Sequence, residues 1–141
     1  PNESIQSALC AAARRGIDTT IVFPARNDDF AVAATSRSYY EALIGAGVKV
    51  HEFEPGLLHP KTLTVDDNIT LIGSSNMDRR SFDLNYENNI LLVDEAFTAD
   101  GKKRQDEFLA QCRLVSADEV AAWSWRRRLW QNAVAIVGPV L

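Results

Sequence analysis

The residues from 57 to 88 include the side chains best suited to chemistry. A strand is predicted over 57–65, and because alternate strand residues share a face, His59 and Lys61 should project side by side, about 6.6 Å apart. An imidazole can act as a nucleophile or proton carrier, and an ammonium group beside it can neutralise an anion. Asp66 falls in a predicted turn at 66–68, so its expected role is to orient the loop without touching a substrate.

A second group of polar residues comes after the next predicted strand, at 69–72. Gly73 removes a side chain where a close approach is needed, while Ser74 and Asn76, two residues apart, place a hydroxyl and an amide on one face. These neutral donors, an imidazole and an ammonium group together suit a phosphate. The segment offers no carboxylate cluster of the kind that holds magnesium, so chemistry without a metal or other cofactor is expected.

The surrounding sequence predicts the elements that position these residues. Helical and strand-like patterns interleave without repeats, which indicates an α/β fold with a mixed β-sheet sandwiched between helices, in one domain over 1–141. The run at 89–93 is apolar on both faces and predicts a central strand covered on each side. Other predicted strands are 18–23 and 48–53, and the predicted helices are 5–15, 31–44, 95–112 and 117–137, with Ser116 and Glu119 forming a capping box for the last.

The fixed residues of this segment obey the pattern H-x-K-x4-D-x6-G-S-x-N. This is similar to the signature of the phospholipase D superfamily at every fixed position: His59, Lys61, Asp66, Gly73, Ser74 and Asn76. The sequence at 76–94 also resembles the segment after the second such motif in bacterial-type cardiolipin synthases. The resemblance covers nearly the whole chain and implies a phospholipase D-like catalytic half-domain.

The resemblance implies a covalent mechanism in which two copies of the motif face each other. One histidine attacks the phosphodiester phosphorus and forms a phosphohistidine, while the other protonates the departing alcohol and deprotonates the incoming one. This chain has one copy, so His59 is either the nucleophile or the acid and base, and its place in a second motif favours the latter. The other half is expected to be a missing N-terminal catalytic half or a second copy of the chain.

The resemblance also assigns roles to the remaining residues of the site. Lys61 and Asn76 would stabilise the non-bridging phosphate oxygens, supported by Ser74. Glu87 would hold a catalytic imidazole in the required tautomer, with Asp83 as the second choice. One departure is Pro60, which lacks an amide N–H at a position where the family usually has a small residue with one.

Composition restricts the partners. A formal net charge of -4 and a pI near 5.1 make nucleic acid an unlikely partner. No apolar run of 18 residues or leader pattern is present, so the chain is expected to be soluble. It begins at Pro1 and enters a predicted helix almost at once, so it is expected to be a fragment of a longer protein. The full-length protein is expected at the cytoplasmic face of the inner membrane. Cys10 and Cys112 are read as reduced core residues.

Some residues have two interpretations. The tail at 123–141 combines three tryptophans and three consecutive arginines, which suits either an anionic membrane surface or the buried stripe of a core helix. Arg79 and Arg80 face either phospholipid headgroups or solvent. His51 is read as a surface residue of an alternating strand.

Three functions fit the sequence. The first is transfer of a phosphatidyl group between phosphatidylglycerol molecules, which yields cardiolipin and implies an anionic phospholipid substrate at a membrane surface. The second is hydrolysis of phospholipid or nucleic acid by the same superfamily chemistry. The third is a catalytically inactive half-domain that binds phosphate or membrane but lacks its partner motif.

Overall fold

The computed structural model describes residues 3–26, 35–56, 58–74 and 87–124. These residues form an α/β fold, as predicted, in which helices and strands interleave along the chain. Residues 35–38 are also helical. The elements are α1 (Glu3–Arg14), β1 (Thr20–Pro24), α2 (Tyr40–Gly45), β2 (Lys49–Phe53), β3 (Thr62–Val65), β4 (Ile69–Gly73), β5 (Asn89–Val93), α3 (Glu95–Leu109), β6 (Cys112–Leu114) and α4 (Ala117–Ala121).

The first sheet has the strand order β1–β2–β6 and contains both kinds of pairing. β1 and β2 are parallel, with Val22 opposite His51, and β2 and β6 are antiparallel, with Glu52 opposite Arg113. Helices α1, α2 and α4 pack together beside this sheet, and their apolar side chains form the main core. The buried members of the core are Cys10, Phe23, Tyr40, Leu43, Ala46, Val48, Val50, Val115 and Val120.

A buried carboxylate joins the elements of the first sheet. Glu52 is only 7% exposed, and its two oxygens accept hydrogen bonds from the Tyr40 hydroxyl at 3.1 Å and from Arg113 at 2.6 Å. Arg37 lies 3.6 Å from the same carboxylate. Burial, together with the nearby Glu52, raises the pKa of Tyr40 well above its usual range, so this phenol stays protonated. The buried charge is therefore compensated from three sides.

The second sheet is antiparallel, with the strand order β3–β4–β5. The predicted hairpin is confirmed: Val65 pairs with Ile69 across a three-residue turn. Asp66 begins this turn with a φ of 52°, a left-handed conformation that aspartate adopts more readily than most residues. β5 adds to the free side of β4, so that Gly73 lies opposite Asn89.

Helix α3 packs against both sheets. Its N-terminus is capped by Asp94, whose carboxylate accepts a hydrogen bond from the Phe97 N–H at 2.7 Å. Near its C-terminal end Phe108 meets Phe53 of β2 with ring centroids 5.7 Å apart. The helix thus fixes the second sheet relative to the core of the first.

Several predicted boundaries need correction. The described strands form two sheets and not a single mixed one. The strand predicted at 57–65 begins only at Thr62, because Pro60 has no N–H to donate to a ladder. The helix predicted at 95–112 ends at Leu109 and is followed by a short strand, β6. This strand was not predicted, because the helical periodicity extends to its first residue.

Two more elements differ from their prediction. The strand Asn89–Val93 is not central: β5 lies at the end of the order β3–β4–β5, and Leu91 and Val93 are 63% and 70% exposed. The helix predicted at 117–137 begins at its predicted cap, where the Ser116 hydroxyl accepts from the Glu119 N–H at 3.1 Å, but ends at Ala121. Residues 125–137 lie outside the described part, as do 31–34 of the second predicted helix.

Candidate functional site

The first two motif residues lie just before β3, in an extended segment outside the regular strand. His59 is exposed, Lys61 is half-buried, and the Lys61 ammonium donates a hydrogen bond to the His59 carbonyl oxygen at 2.8 Å. The Lys61 carbonyl accepts from the Gly73 N–H at 3.2 Å. This backbone bond brings the His59–Lys61 segment against the second part of the motif, which is 12 or more residues further along the chain.

Gly73 lies close against the start of the segment that leads into β5. A Cβ atom at this position would lie 2.6 Å from the Asn88 carbonyl oxygen and would overlap the Asn89 side-chain oxygen. In this structure the close approach that requires a glycine is made by the protein's own chain. Gly73 allows the segment after the motif to return against β4, and so defines the position of Glu87.

Ser74 links the end of β4 to this returning segment. Its hydroxyl donates to Glu87 Oε2 at 2.5 Å and accepts from the Asn88 N–H at 3.0 Å. The Ser74 N–H also donates to the Asn88 carbonyl at 3.1 Å. The Ser74 hydroxyl therefore uses its proton on the Glu87 carboxylate and joins that carboxylate to the local backbone.

Asp66 is at the opposite end of the hairpin. It comes five positions after Lys61, which in an extended chain corresponds to about 16 Å. Its carbonyl oxygen lies 3.5 Å from the Lys102 ammonium, which pairs with the neighbouring Asp67 carboxylate at 2.8 Å. This contact lowers the pKa of Asp67. The structure therefore groups Lys61 with Gly73, Ser74 and Glu87, and places Asp66 away from them, in the loop that it was expected to orient.

Several predicted residues lie outside the described part of the chain. These are Asn76, Arg79, Arg80 and Asp83, which fall within 75–86. Of the tryptophan-rich tail, Trp123 is described: its ring lies 6.0 Å from that of Tyr40, against the core of the first sheet. For this residue the interpretation as core is correct, and from 125 onward the tail is not described.

Three further polar residues have predicted environments that can be compared with the structure. Both cysteines are free: Cys10 is buried in the core, as predicted, whereas Cys112 is only half-buried, on β6. His51 is half-buried on β2, more enclosed than predicted, and its Nδ1 has no hydrogen-bond partner. Burial and the nearby Lys49 lower the pKa of His51. It lies in the first sheet and not at the candidate site.

Sequence reasoning missed the residues whose hydrogen bonds hold the site residues and the neighbouring strand β3 in place. Asn88 contributes only backbone groups to Ser74, so its residue type gave no signal. Gln105 contacts Thr62 and Thr64 from α3, more than 40 residues away, and no local pattern could reveal this. In 3–26, 35–56, 58–74 and 87–124, no three His, Cys, Asp or Glu side chains cluster closely enough to hold a metal ion. None of the helices described there is long and apolar enough to cross a membrane.

The fold is that of the phospholipase D family. The chain superposes on Nuc, a phospholipase D family member from Salmonella typhimurium, with a TM-score of 0.70 and 24% identity over 81% of this chain and 74% of that one. It also superposes on the phosphatidylserine synthase of Haemophilus influenzae Rd KW20, with a TM-score of 0.66 and 18% identity, over 96% of this chain and 37% of that one.

Sequence comparison narrows the class to a family. The model of the cardiolipin synthase, PLD-like domain, matches residues 1–108. The chain is 39% identical to cardiolipin synthase A of Cronobacter sakazakii over 134 residues, 95% of this chain and 27% of that protein. It is 40% identical to cardiolipin synthase A of Salmonella arizonae over 94% of this chain and 26% of that protein. The chain belongs to the cardiolipin synthase family of phospholipase D-like domains, and it spans about a quarter of the length of these relatives.

Proposed function

We propose that this chain supplies one catalytic half of a phosphatidyltransferase that makes cardiolipin and glycerol from two molecules of phosphatidylglycerol. The observation that supports this most directly is the grouping of Lys61, Gly73, Ser74 and Glu87 at one end of the second sheet, beside the exposed His59. A cation next to an imidazole at an accessible sheet end suits an anionic phosphodiester. The relatives that the chain matches over nearly its full length are cardiolipin synthases.

The proposed reaction has two displacements at one phosphorus atom. A histidine nitrogen bonds to phosphorus, the bond from phosphorus to the glycerol headgroup oxygen breaks, and the second histidine gives its proton to that oxygen. The hydroxyl oxygen of another phosphatidylglycerol then bonds to phosphorus, the phosphorus–nitrogen bond breaks and frees the nucleophilic histidine, and the second histidine takes the hydroxyl proton. His59 is one member of this pair. The resemblance of its motif to a second motif favours the acid and base role, and the nucleophile role is the alternative.

The supporting residues have distinct roles in this proposal. The Lys61 ammonium, which donates to the His59 carbonyl, is proposed to neutralise the non-bridging oxygens as charge develops. Asn76 is proposed to add an amide donor to the same oxygens. Glu87 is proposed to orient an imidazole, and its hydrogen bond from Ser74 would fix the carboxylate for that purpose.

A second motif is required for this reaction, and we propose that a second phospholipase D-like half supplies it, either from an N-terminal part of the same protein or from another copy. The chain spans about a quarter of its relatives, which leaves room for another half in those proteins. β5 favours such a partner: Ile90, Leu91 and Val93 are 57%, 63% and 70% exposed, and the strand begins two residues after Glu87. Exposed apolar residues grouped in this way are typical of interaction surfaces.

The substrate is a membrane lipid, so we propose that the protein works at a membrane surface, on the cytoplasmic face of the inner membrane. The chain as a whole carries a net charge of -4, so attraction to anionic lipid would have to be local. Lys61 at the site is one such local cation.

The function is tested with the full-length protein that contains this chain, incubated with vesicles of labelled phosphatidylglycerol. We expect labelled cardiolipin and free glycerol, and we expect His59→Ala to abolish both. His51→Ala is the matched control, since it removes the other histidine of the chain, which lies in the first sheet, and it should retain activity. A protein that never forms cardiolipin under these conditions contradicts the proposal.

The same experiment distinguishes the two alternatives. Because His59 is exposed, water could replace the incoming alcohol, and the labelled product would then be phosphatidic acid. The 141-residue chain by itself, assayed alongside a measurement of its mass in solution, tests the inactive half-domain. A monomer without turnover fits that alternative, whereas an active dimer means that two copies of His59 complete the site.

A further inference from the structure

We propose that Gln105 of α3 is a positioning residue for this reaction, because its amide fixes the first residues of β3 and thereby the His59–Lys61 segment that leads into them. The inference rests on the proposed function, since it concerns the same site. Gln105 acts through Thr62, which is bonded directly to Lys61 in the chain.

One amide bridges two hydroxyl groups of the same strand. Thr64 Oγ1 donates to Gln105 Oε1 at 2.8 Å, and Gln105 Nε2 donates to Thr62 Oγ1 at 3.2 Å. Residues two apart on a strand share a face, so both threonines present their hydroxyls to α3. With both of its polar atoms engaged, the amide restricts sliding and rotation of the strand at its start.

The start of β3 needs such a restraint. Pro60 cannot donate to a ladder, and β3 is the end strand of the described sheet, paired with β4 only. The bond from the Gly73 N–H to the Lys61 carbonyl holds the segment from the β4 side. Gln105 adds an attachment from the helix side, one residue after Lys61.

Gln105 differs from the other polar residues on its face of α3 in the part of the hairpin that it contacts. Thr98, Lys102 and Gln105 lie on one face of α3 at spacings of four and three residues. The Thr98 hydroxyl meets that of Thr70 at 2.9 Å in the middle of the sheet, and Lys102 pairs with Asp67 at the turn. Among these three, Gln105 contacts the end of the hairpin that adjoins the site.

The activity test uses Gln105→Met, which preserves side-chain length and removes both hydrogen-bonding groups. We expect kcat to fall about tenfold while KM stays within about twofold, since a misplacement of an ångström at the reacting groups is costly to rate. Gln105→Glu retains acceptors for both threonine hydroxyls and should recover most of the rate. The matched control is Gln111→Met, because the amide of Gln111, just after α3, donates to the Glu107 carbonyl of that helix at 2.9 Å and not to β3.

A second measurement, amide hydrogen exchange in the same full-length protein, does not depend on activity. In Gln105→Met the Gly73 amide, which donates to Lys61, should exchange faster, while the Lys49 amide, which donates to Thr19 in the first sheet at 2.9 Å, should not change. Equal acceleration at both amides would mean general loosening and would overturn the positioning role. An active protein whose Gln105→Met variant keeps full kcat rejects that role alone, whereas an unsubstituted protein that makes no cardiolipin rejects the proposed function.

Discussion

The two sheets of this molecule differ in how completely their strands are buried. In the first sheet the central strand β2 includes Val50, which is fully buried beneath helices, and the one buried carboxylate described, Glu52, is paired. In the second sheet α3 packs against β3 and β4, and β5 exposes Leu91 and Val93 to solvent. The candidate site lies at the end of this second sheet. The difference indicates that stability comes mainly from the first sheet and its helices.

The largest expected effect compares equal substitutions in the two regions. Leu43→Ala removes a fully buried side chain from the core of the first sheet and should lower the free energy of unfolding by about 2–5 kcal/mol. Leu91→Ala removes the same atoms from β5, where the residue is 63% exposed, and should cost less than about 1 kcal/mol. Chemical denaturation of the chain measures both. Equal losses would show that β5 is buried in solution and would break the comparison.

The second prediction concerns two glycines of the second region. Gly73→Ala would place a methyl group 2.6 Å from the Asn88 carbonyl, so either β4 or the returning segment must move, at a cost of about 1–3 kcal/mol. Gly101→Ala on α3 would meet its nearest atoms at 3.7 Å or more and should gain up to about 1 kcal/mol from helix propensity. Denaturation midpoints distinguish the two. If Gly73→Ala leaves the denaturation midpoint unchanged, the segment from Glu87 to Asn89 does not approach β4 closely.

A third prediction compares an enclosed ion pair with an exposed one. Arg113→Met leaves the buried Glu52 carboxylate with fewer partners, and should cost about 1–2 kcal/mol. The expected loss in free energy of unfolding is this small because 41% of the Arg113 side chain is exposed and because Tyr40 and Arg37 remain beside Glu52. Lys102→Met breaks the pair with Asp67 at the surface of the second region, and should leave the midpoint nearly unchanged. A larger loss at Lys102 would mean that the hairpin turn contributes more to stability than its exposure indicates.

Sequence reasoning was most successful where chemistry is local. The capping box at Ser116, the three-residue turn that begins at Asp66 and the hairpin around it depend on residue types that act within a few positions. The motif spacing likewise identified the family. The turn between β3 and β4 is short, so Lys61, just before β3, comes to lie beside Gly73 at the end of β4. These features need no knowledge of distant contacts.

The missed features depend on tertiary context. The apolar run at β5 predicts a central strand because composition cannot distinguish a covered strand from one that is left exposed. The close neighbour of Gly73 could not be anticipated, because it is the backbone of Asn88, 15 residues later. The strand β6 has only three residues, too few to show a period of its own beside the helix before it.

The smallest expected effect is a pH dependence that belongs to the first sheet. Burial and the Lys49 charge lower the pKa of His51 in the folded chain below its ordinary value of 6.5. The unfolded chain therefore binds a proton more readily, so this contribution to stability is complete above that value and is lost as the pH falls through 6.5 toward the folded pKa. His51→Gln should remove that part of the slope between neutral and mildly acidic pH, as measured by denaturation at a series of pH values. If the variant and the original chain lose stability in parallel over this range, the His51 imidazole is as hydrated as in the unfolded chain, and the first sheet is less enclosed at β2 than the burial of its neighbours indicates.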